Sequence, residues 1–400
     1  MMTLLVLLAA LSQEPVTVIR ARAMLDVRGG ALRERPVIVV RGDRIESVSF
    51  GAKKAPRGAT VIDLGDAVLL PGLIDAHVHL AWKPSPQDEL AVPGVSKQAA
   101  DDARTTLLAG FTTVRDLGST GRADLLLRDA IASGKLTGPR MLAAGPGLGA
   151  PGGACDQVFG GEATASDDAG FVTRTEEVIA AGADLVKVCT GGGVVPVNPK
   201  PRNDVTAAQV RGIADAAKRH GLRLAAHAQG PDAINAAIDG GAASIEHGGY
   251  IDAAIAKKMR EKNVWLVPTL YRLDFVVDNA VQNKAPNAAT LQTARDTMQQ
   301  QFTEAWKAGV PVAFGTDATV IPHGTNAREL STLVRLGMPP LEAIRAATTN
   351  AAALLGISDI GELAAGKRAD IIAVAADPLR EITTLERVRF VMHDGRVVKR

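Results

Sequence analysis

Leu73-Ile74-Asp75-Ala76-His77-Val78-His79-Leu80 sets two histidines two residues apart in an apolar, strand-like run. Alternate side chains leave the same face of an extended strand, so His77 and His79 can converge on one ion; on a helix the pair would diverge. The pair alone is a weak signal, because surface histidines recur by chance. Its weight comes from the rest of the chain, where His227, His247 and Asp317 each end a short apolar run, with Lys187 in their midst.

From Pro71 onward, strand-like runs alternate with helical stretches. Eight candidate strands are read at Leu73 to Leu80, Thr112 to Leu117, Arg140 to Ala144, Leu185 to Cys189, Leu222 to His227, Ser244 to His247, Val264 to Leu270 and Val310 to Thr316. Helical stretches such as Val205 to His220 and Asp232 to Asp239 separate many of them, and Leu341 to Thr348 follows the eighth. This pattern predicts an α/β protein, a TIM (β/α)8 barrel over residues 71–357.

The flanks read differently. Val16 to Ala21, Pro36 to Arg41, Arg44 to Ser49, Thr60 to Leu64 and Ala67 to Leu70 are short apolar runs with Gly-Asp and Gly-Gly turns between them. Gly361-Glu362-Leu363, Asp370 to Ala375 and Val388 to Val398, with a His393-Asp394-Gly395 turn, return to the same pattern. Residues 13–70 and 358–400 are therefore expected to pair as one discontinuous β-sandwich domain.

On this map the candidate ligands fall on strands one, four, five, six and eight, at or just past their carboxyl ends, where barrel enzymes assemble active sites. One histidine ending a strand is usually a hydrogen-bonded structural residue. Four on converging strands, with an aspartate, point to a metal centre. Lys187 inside a strand is costly unless paired, since a buried ammonium must be desolvated. It is either salt-bridged, or snorkelling outward, or neutral and converted by carbon dioxide to a carbamate that bridges two metal ions. In the last case two divalent ions bring four positive charges and carbamate, aspartate and hydroxide return three, leaving one for an anionic transition state.

Composition sets limits. Hydrophobic residues make up 46% and aromatics only 3%, so the core must be built from small and branched side chains. The 45 basic and 43 acidic residues are mixed, giving a formal charge of +2 without a polybasic run, which excludes nucleic acid as an expected partner. Residues 1–12 read as a signal peptide, too short to span a bilayer and followed by the small-x-small site Ala10-Leu11-Ser12. No membrane span is expected in the mature chain. Export to the periplasm or medium is expected; a misassigned start or a buried first strand would instead leave the protein in the cytoplasm. Cys155 and Cys189 could pair in an exported protein, but two unpaired thiols are slightly preferred.

Pro71-Gly72-Leu73-Ile74-Asp75-Ala76-His77-Val78-His79 resembles the entry motif of the amidohydrolase superfamily, and Gly361-Glu362-Leu363 through Gly366-Lys367-Arg368-Ala369-Asp370 resembles its barrel exit. Asp184 to Gly193, Ala226-His227-Ala228-Gln229-Gly230 and Ser244-Ile245-Glu246-His247-Gly248 resemble the imidazolonepropionase-related branch, which contains Xaa-Pro dipeptidases and ochratoxinase-like carboxypeptidases. The resemblance implies two zinc ions: His77 and His79 on the more buried one, His227 and His247 on the more exposed one, carbamylated Lys187 bridging. Asp317 would bind the buried ion and move a proton from the bridging water to the leaving amine. One departure stands out: the branch carries Gly-Gly-His-Gly where this chain has Gly152-Gly153-Ala154-Cys155.

The expected function is hydrolysis of a peptide or N-acyl amino acid amide by a homo-oligomeric, binuclear zinc enzyme, with cobalt or manganese also suited to the ligands. The rivals are a mononuclear deaminase or cyclic amide hydrolase on the same scaffold, which needs no bridging lysine, and a catalytically inactive binding subunit, which usually loses ligands. Tyr271 and Arg115 are candidates to bind a substrate carboxylate, and His323 is a candidate to face the pocket. His220 and His393 are expected to be solvated. Gly191-Gly192-Gly193 lacks the Lys and Ser/Thr of a phosphate loop and is read as room for backbone near the metals.

Overall fold

In the computed structural model, which describes residues 14–82, 90, 92–191 and 204–400, the N-terminal segment forms β1 (Val16–Arg20), β2 (Ala23–Asp26), β3 (Ala31–Glu34), β4 (Pro36–Arg41), β5 (Arg44–Phe50), β6 (Thr60–Asp63) and β7 (Val68–Pro71). The middle supplies β8 (Leu73–Val78), β9 (Phe111–Asp116), β10 (Arg140–Ala143), β11 (Val186–Gly191), β12 (Leu224–Ala228), β13 (Ser244–His247) and β14 (Trp265–Val267). The C-terminal segment adds β15 (Ile371–Val374), β16 (Phe390–His393) and β17 (Arg396–Lys399). The stretch read as a signal peptide and Gly192-Gly193 lie outside the described residues. Among those residues, no helix is long and apolar enough to cross a membrane.

Strands from both ends of the chain share a sheet. One sheet runs β5-β4-β1-β6 and the other β17-β16-β15-β7-β2-β3, in which β7 pairs antiparallel with β15 from Val68↔Val374 to Pro71↔Ile371. Ile19, Ile38 and Ile45 from the first sheet bury against Leu69, Ile371, Phe390 and Met392 from the second. Each such side chain withdrawn from water is worth about 1.5–3 kcal/mol. The β2–β3 hairpin was not read from sequence, because β3 (Ala31-Leu32-Arg33-Glu34) is mostly exposed and lacks an apolar alternation. Gly361-Glu362-Leu363, expected as strand-like, is a bend: Gly361 has φ +81° and packs its α-carbon over the Thr348 carbonyl.

The middle strands are parallel, in sheets ordered β10-β9-β8 and β11-β12-β13-β14. Parallel bridges Leu148↔Val188, Leu266↔Val312 and Val78↔Ala318 lie between these sheets and the segments that follow β10 and β14. The intervening helices begin where the sequence supplies caps: Ser96, Asp167, Thr206 and Asp252 each accept a first-turn N–H. Thr206 with Gln209 completes a capping box for the helix Ala207–Arg219, which buries Val210, Ile213, Ala216 and Ala217. Helices approach closely because their contact residues are small; a side chain at Gly240 would overlap Val210.

The eighth expected strand is irregular. Ala313 N–H donates to Leu266 O, Ala76 N–H to Phe314 O, and both Thr316 and Asp317 N–H to His77 O, so the segment is bonded on both sides without regular strand geometry. Gly315 allows this approach, since a Cβ there would lie 2.8 Å from His77 Cβ. The doubled donation to one carbonyl turns the chain at Asp317, whose φ is +59°.

Candidate metal centre

His77 lies on β8 and His79 just past its end, Lys187 lies on β11, His227 on β12, and His247 ends β13. Asp317 follows the irregular segment. All six are buried and line one cavity. Ligand atoms of His77, His247 and Asp317 lie within 4.8 Å of one another. Asp317 Oδ1 is 3.5 Å from Nε2 of both His77 and His79. The His227 and His247 rings meet edge to face at 4.7 Å, and the His247 and His77 rings are 4.9 Å apart.

The histidines are oriented by what their outer nitrogens touch. His77 Nδ1 donates to Glu246 Oε2 at 2.9 Å, His79 Nδ1 donates to the Gly118 carbonyl at 2.8 Å, and His247 Nδ1 sits 2.7 Å from Thr269 Oγ1. With Nδ1 engaged, Nε2 is the nitrogen left for the cavity, the arrangement that metal-bound imidazoles require. Burial holds the His77, His79 and His247 rings below the usual imidazole pKa, so they are neutral, as ligands must be. His247, Asp317 and Thr269 all have left-handed backbone, with φ of +70°, +59° and +50°. Such strain in non-glycine residues, including a β-branched threonine, collects at functional sites.

Lys187 is 3% exposed, and burial lowers its amine to about 8, with Glu246 and Asp317 opposing that fall. A neutral amine is thus accessible near neutral pH. The residue set fits divalent metal: imidazole nitrogens with fixed tautomers, one carboxylate, and a lysine able to become an anionic ligand.

Two contributors were missed by the sequence reading. Glu246 precedes the candidate ligand His247 and carries no role of its own in the sequence reading, since strict strand alternation sends neighbours to opposite faces. The left-handed backbone at His247 ends that alternation, and Glu246 holds His77 from within the sheet. Arg272 is 1% exposed, and its Nε lies 3.4 Å from Asp317 Oδ2. Its neighbour Tyr271 had drawn attention instead. Which of the two faces the centre depends on the phase of the helix Leu270–Gln282, fixed where Glu329 accepts the N–H groups of Leu270 and Tyr271.

Three expected substrate contacts are placed elsewhere. Arg115 is a correction: it is buried below the histidines, donating to Ala76 O at 2.6 Å, Ser244 Oγ at 3.2 Å and Glu246 Oε1 at 2.8 Å. Its charge is used to hold Glu246, and it is not among the residues that line the cavity. Tyr271 receives a hydrogen bond from Arg328 at 2.9 Å and lies outside the cavity lining. His323 lies between Thr106 and Thr319, also outside the lining. His220 is exposed beside Glu176. His393, expected in solvent, is instead largely buried, with Nδ1 donating to Asp370 at 2.9 Å. Cys155 and Cys189 are joined in a disulfide, which corrects the slight preference for free thiols.

A model described as "Amidohydrolase family" matches residues 68–398. Ochratoxinase from Aspergillus niger is 29% identical, in an alignment covering 96% of this chain and 86% of that protein. A crystal structure of a Xaa-Pro dipeptidase with methionine bound in its active site is 33% identical with a TM-score of 0.87, covering 96% of this chain and 100% of the other. A prolidase complexed with N-methylphosphonate-L-proline is 28% identical with a TM-score of 0.86, at the same coverage.

Proposed function

Because the chain belongs to the amidohydrolase family and is a hydrolase of amide bonds, we propose that it cleaves the amide of a dipeptide or N-acyl amino acid and releases a C-terminal amino acid. The observation that carries this reading is the set of three histidines with engaged Nδ1 atoms around Asp317, with Lys187 and His227 in the same cavity.

In this reading β8 to β14 and residues 311–318 make one (β/α)8 barrel, with a β-sandwich domain from both chain ends. Two divalent ions, zinc by the donor set, would be held by His77, His79, His227, His247, Asp317 and a carbamate on Lys187. Bound metal supplies Lewis acidity, easing deprotonation of water and polarising a carbonyl. The protein's own groups do the rest. Asp317 accepts the proton released as water adds to the carbonyl carbon, then delivers it to the amide nitrogen as the C–N bond breaks. Arg272 steadies Asp317 at Oδ2 and limits its rotation. Glu246 and Arg115 keep His77 in one orientation. We place this activity outside the reducing cytoplasm, a reading supported by the Cys155–Cys189 disulfide.

The test is amino acid release from N-acyl amino acids and dipeptides, Xaa-Pro included, before chelation, after it, and after restoring metal. Release that is lost and regained supports the reading. Turnover of cyclic amides or aminopurines alone would replace it.

A further inference from the structure

The cavity has two unlike sides. Beside the polar residues, the lining carries an apolar wall made by Trp82, Ala154, Val158, Phe159 and Cys189. With Cys155 they form a separate apolar cluster, away from the main core. Trp82 and Val158 are only half-buried, so this cluster faces the cavity and is not simply interior packing. The rings of Trp82 and Phe159 each lie 5.8 Å from the His79 ring, within reach of a group attached beside a scissile amide at the metal ligands.

The wall is firmly seated. Its short helix, Ala154–Phe159, follows β10 and is fastened by the disulfide to β11, two residues beyond Lys187. Trp82 Nε1 donates to the Val158 carbonyl at 3.3 Å, tying the two aromatic parts together. Phe159 rests on bare backbone: a Cβ at Gly118 would lie 2.7 Å from its Cζ and one at Gly147 2.9 Å from its Cε2. The helix's polar groups are turned to other work, since Asp156 accepts from Gly152 N–H and Gln157 donates to Gly152 O. No charged or hydrogen-bonding side chain of the helix belongs to the cavity lining.

We infer that this disulfide-anchored wall is a binding subsite for a bulky apolar, aromatic-sized group of the substrate, so that the preferred amides carry a phenylalanine- or leucine-like side chain next to the scissile bond. The inference rests on the amide hydrolase reading for its substrate and adds the selection among amides. Aromatic rings bury large apolar area and favour offset or edge contacts with other rings, which Trp82 and Phe159 offer and a glycine-sized group cannot use.

The experiment compares kcat/KM of metal-loaded enzyme for amides that differ only in one flanking side chain, from Gly through Leu to Phe, varied in turn on each side of the bond. The wild type should favour Leu and Phe over Gly by about 10- to 100-fold on one side, the range expected for burying such a side chain. Val158→Ala and Phe159→Leu should each reduce that ratio several-fold, with bound metal unchanged. Equal turnover of Gly and Phe substrates, or a ratio that survives both variants, would overturn the subsite. If no amide is cleaved, the hydrolase reading fails separately, and calorimetric titration with 3-phenylpropionate and acetate decides the wall. Tighter binding of the aromatic acid that Val158→Ala and Phe159→Leu weaken sustains the subsite; equal affinities for the two acids dismiss it.

Discussion

Arg272 Nε lies 3.4 Å from Asp317 Oδ2, and both side chains are buried, while Oδ1 of the same carboxylate faces Nε2 of His77 and His79. The carboxylate is held from two sides by different means. The Arg272 contact is a buried ion pair, in which removing one partner leaves the other charge uncompensated. Arg272→Ala should lower kcat by about 10- to 100-fold through a misoriented Asp317, with metal content kept. Parallel assays of turnover and bound metal check this; loss of metal in step with activity would make Arg272 a structural support for the ligands.

Glu246 joins His77 to Arg115. Partners of this type set imidazole orientation, and their loss typically weakens metal binding about 10- to 100-fold. Glu246→Gln should therefore need more metal for half-maximal activity and approach wild-type rates when metal is in excess. A metal titration of activity reads this directly.

The disulfide closes a loop spanning 34 residues of sequence separation. Chain-entropy reasoning assigns such a crosslink about 3–4 kcal/mol. The double substitution Cys155→Ser, Cys189→Ser should lower unfolding free energy by that order in urea. Reduction of the wild type should do the same, and an unchanged midpoint in both would contradict the crosslink's role.

Asp370 ties β10 to the C-terminal sheet through Arg140 at 2.8 Å and His393 at 2.9 Å. Burial alone would raise its carboxyl, but hydrogen bonding to His393 and the Arg140 charge outweigh this and hold it well below the usual range. A depressed carboxylate pKa stabilises the fold above the unfolded value, about 3.9, and that stabilisation is lost as pH falls through the folded value. Asp370→Ala should cost about 3–5 kcal/mol near pH 7. The gap from wild type should narrow below about pH 4, as urea melts at both pH values would show.

The sequence made the candidate ligands legible because each ends an apolar run, and burial of a run fixes where its last side chain goes. His77 and His79 obey strand alternation, and the structure brings them to one cavity with the other four. What escaped reading depends on local departures from regularity. Glu246 was hidden by a left-handed residue, Arg272 by helix phase, and the segment before Asp317 by hydrogen bonds on both sides that irregular backbone alone provides. Arg115 was misread because its charge is satisfied by residues more than a hundred positions away. Pairing of Cys155 with Cys189 likewise depends on how the helix after β10 folds back onto β11, which spacing does not disclose.

Elemental analysis of bound metal per chain, on protein purified without chelator and on Lys187→Ala, tests the binuclear centre most directly. The prediction is about two divalent ions per chain for the wild type, loss of metal and activity in Lys187→Ala, and partial recovery of both with a short carboxylic acid in excess. One ion per chain with full amide hydrolysis, or undiminished metal and turnover in Lys187→Ala, would contradict it.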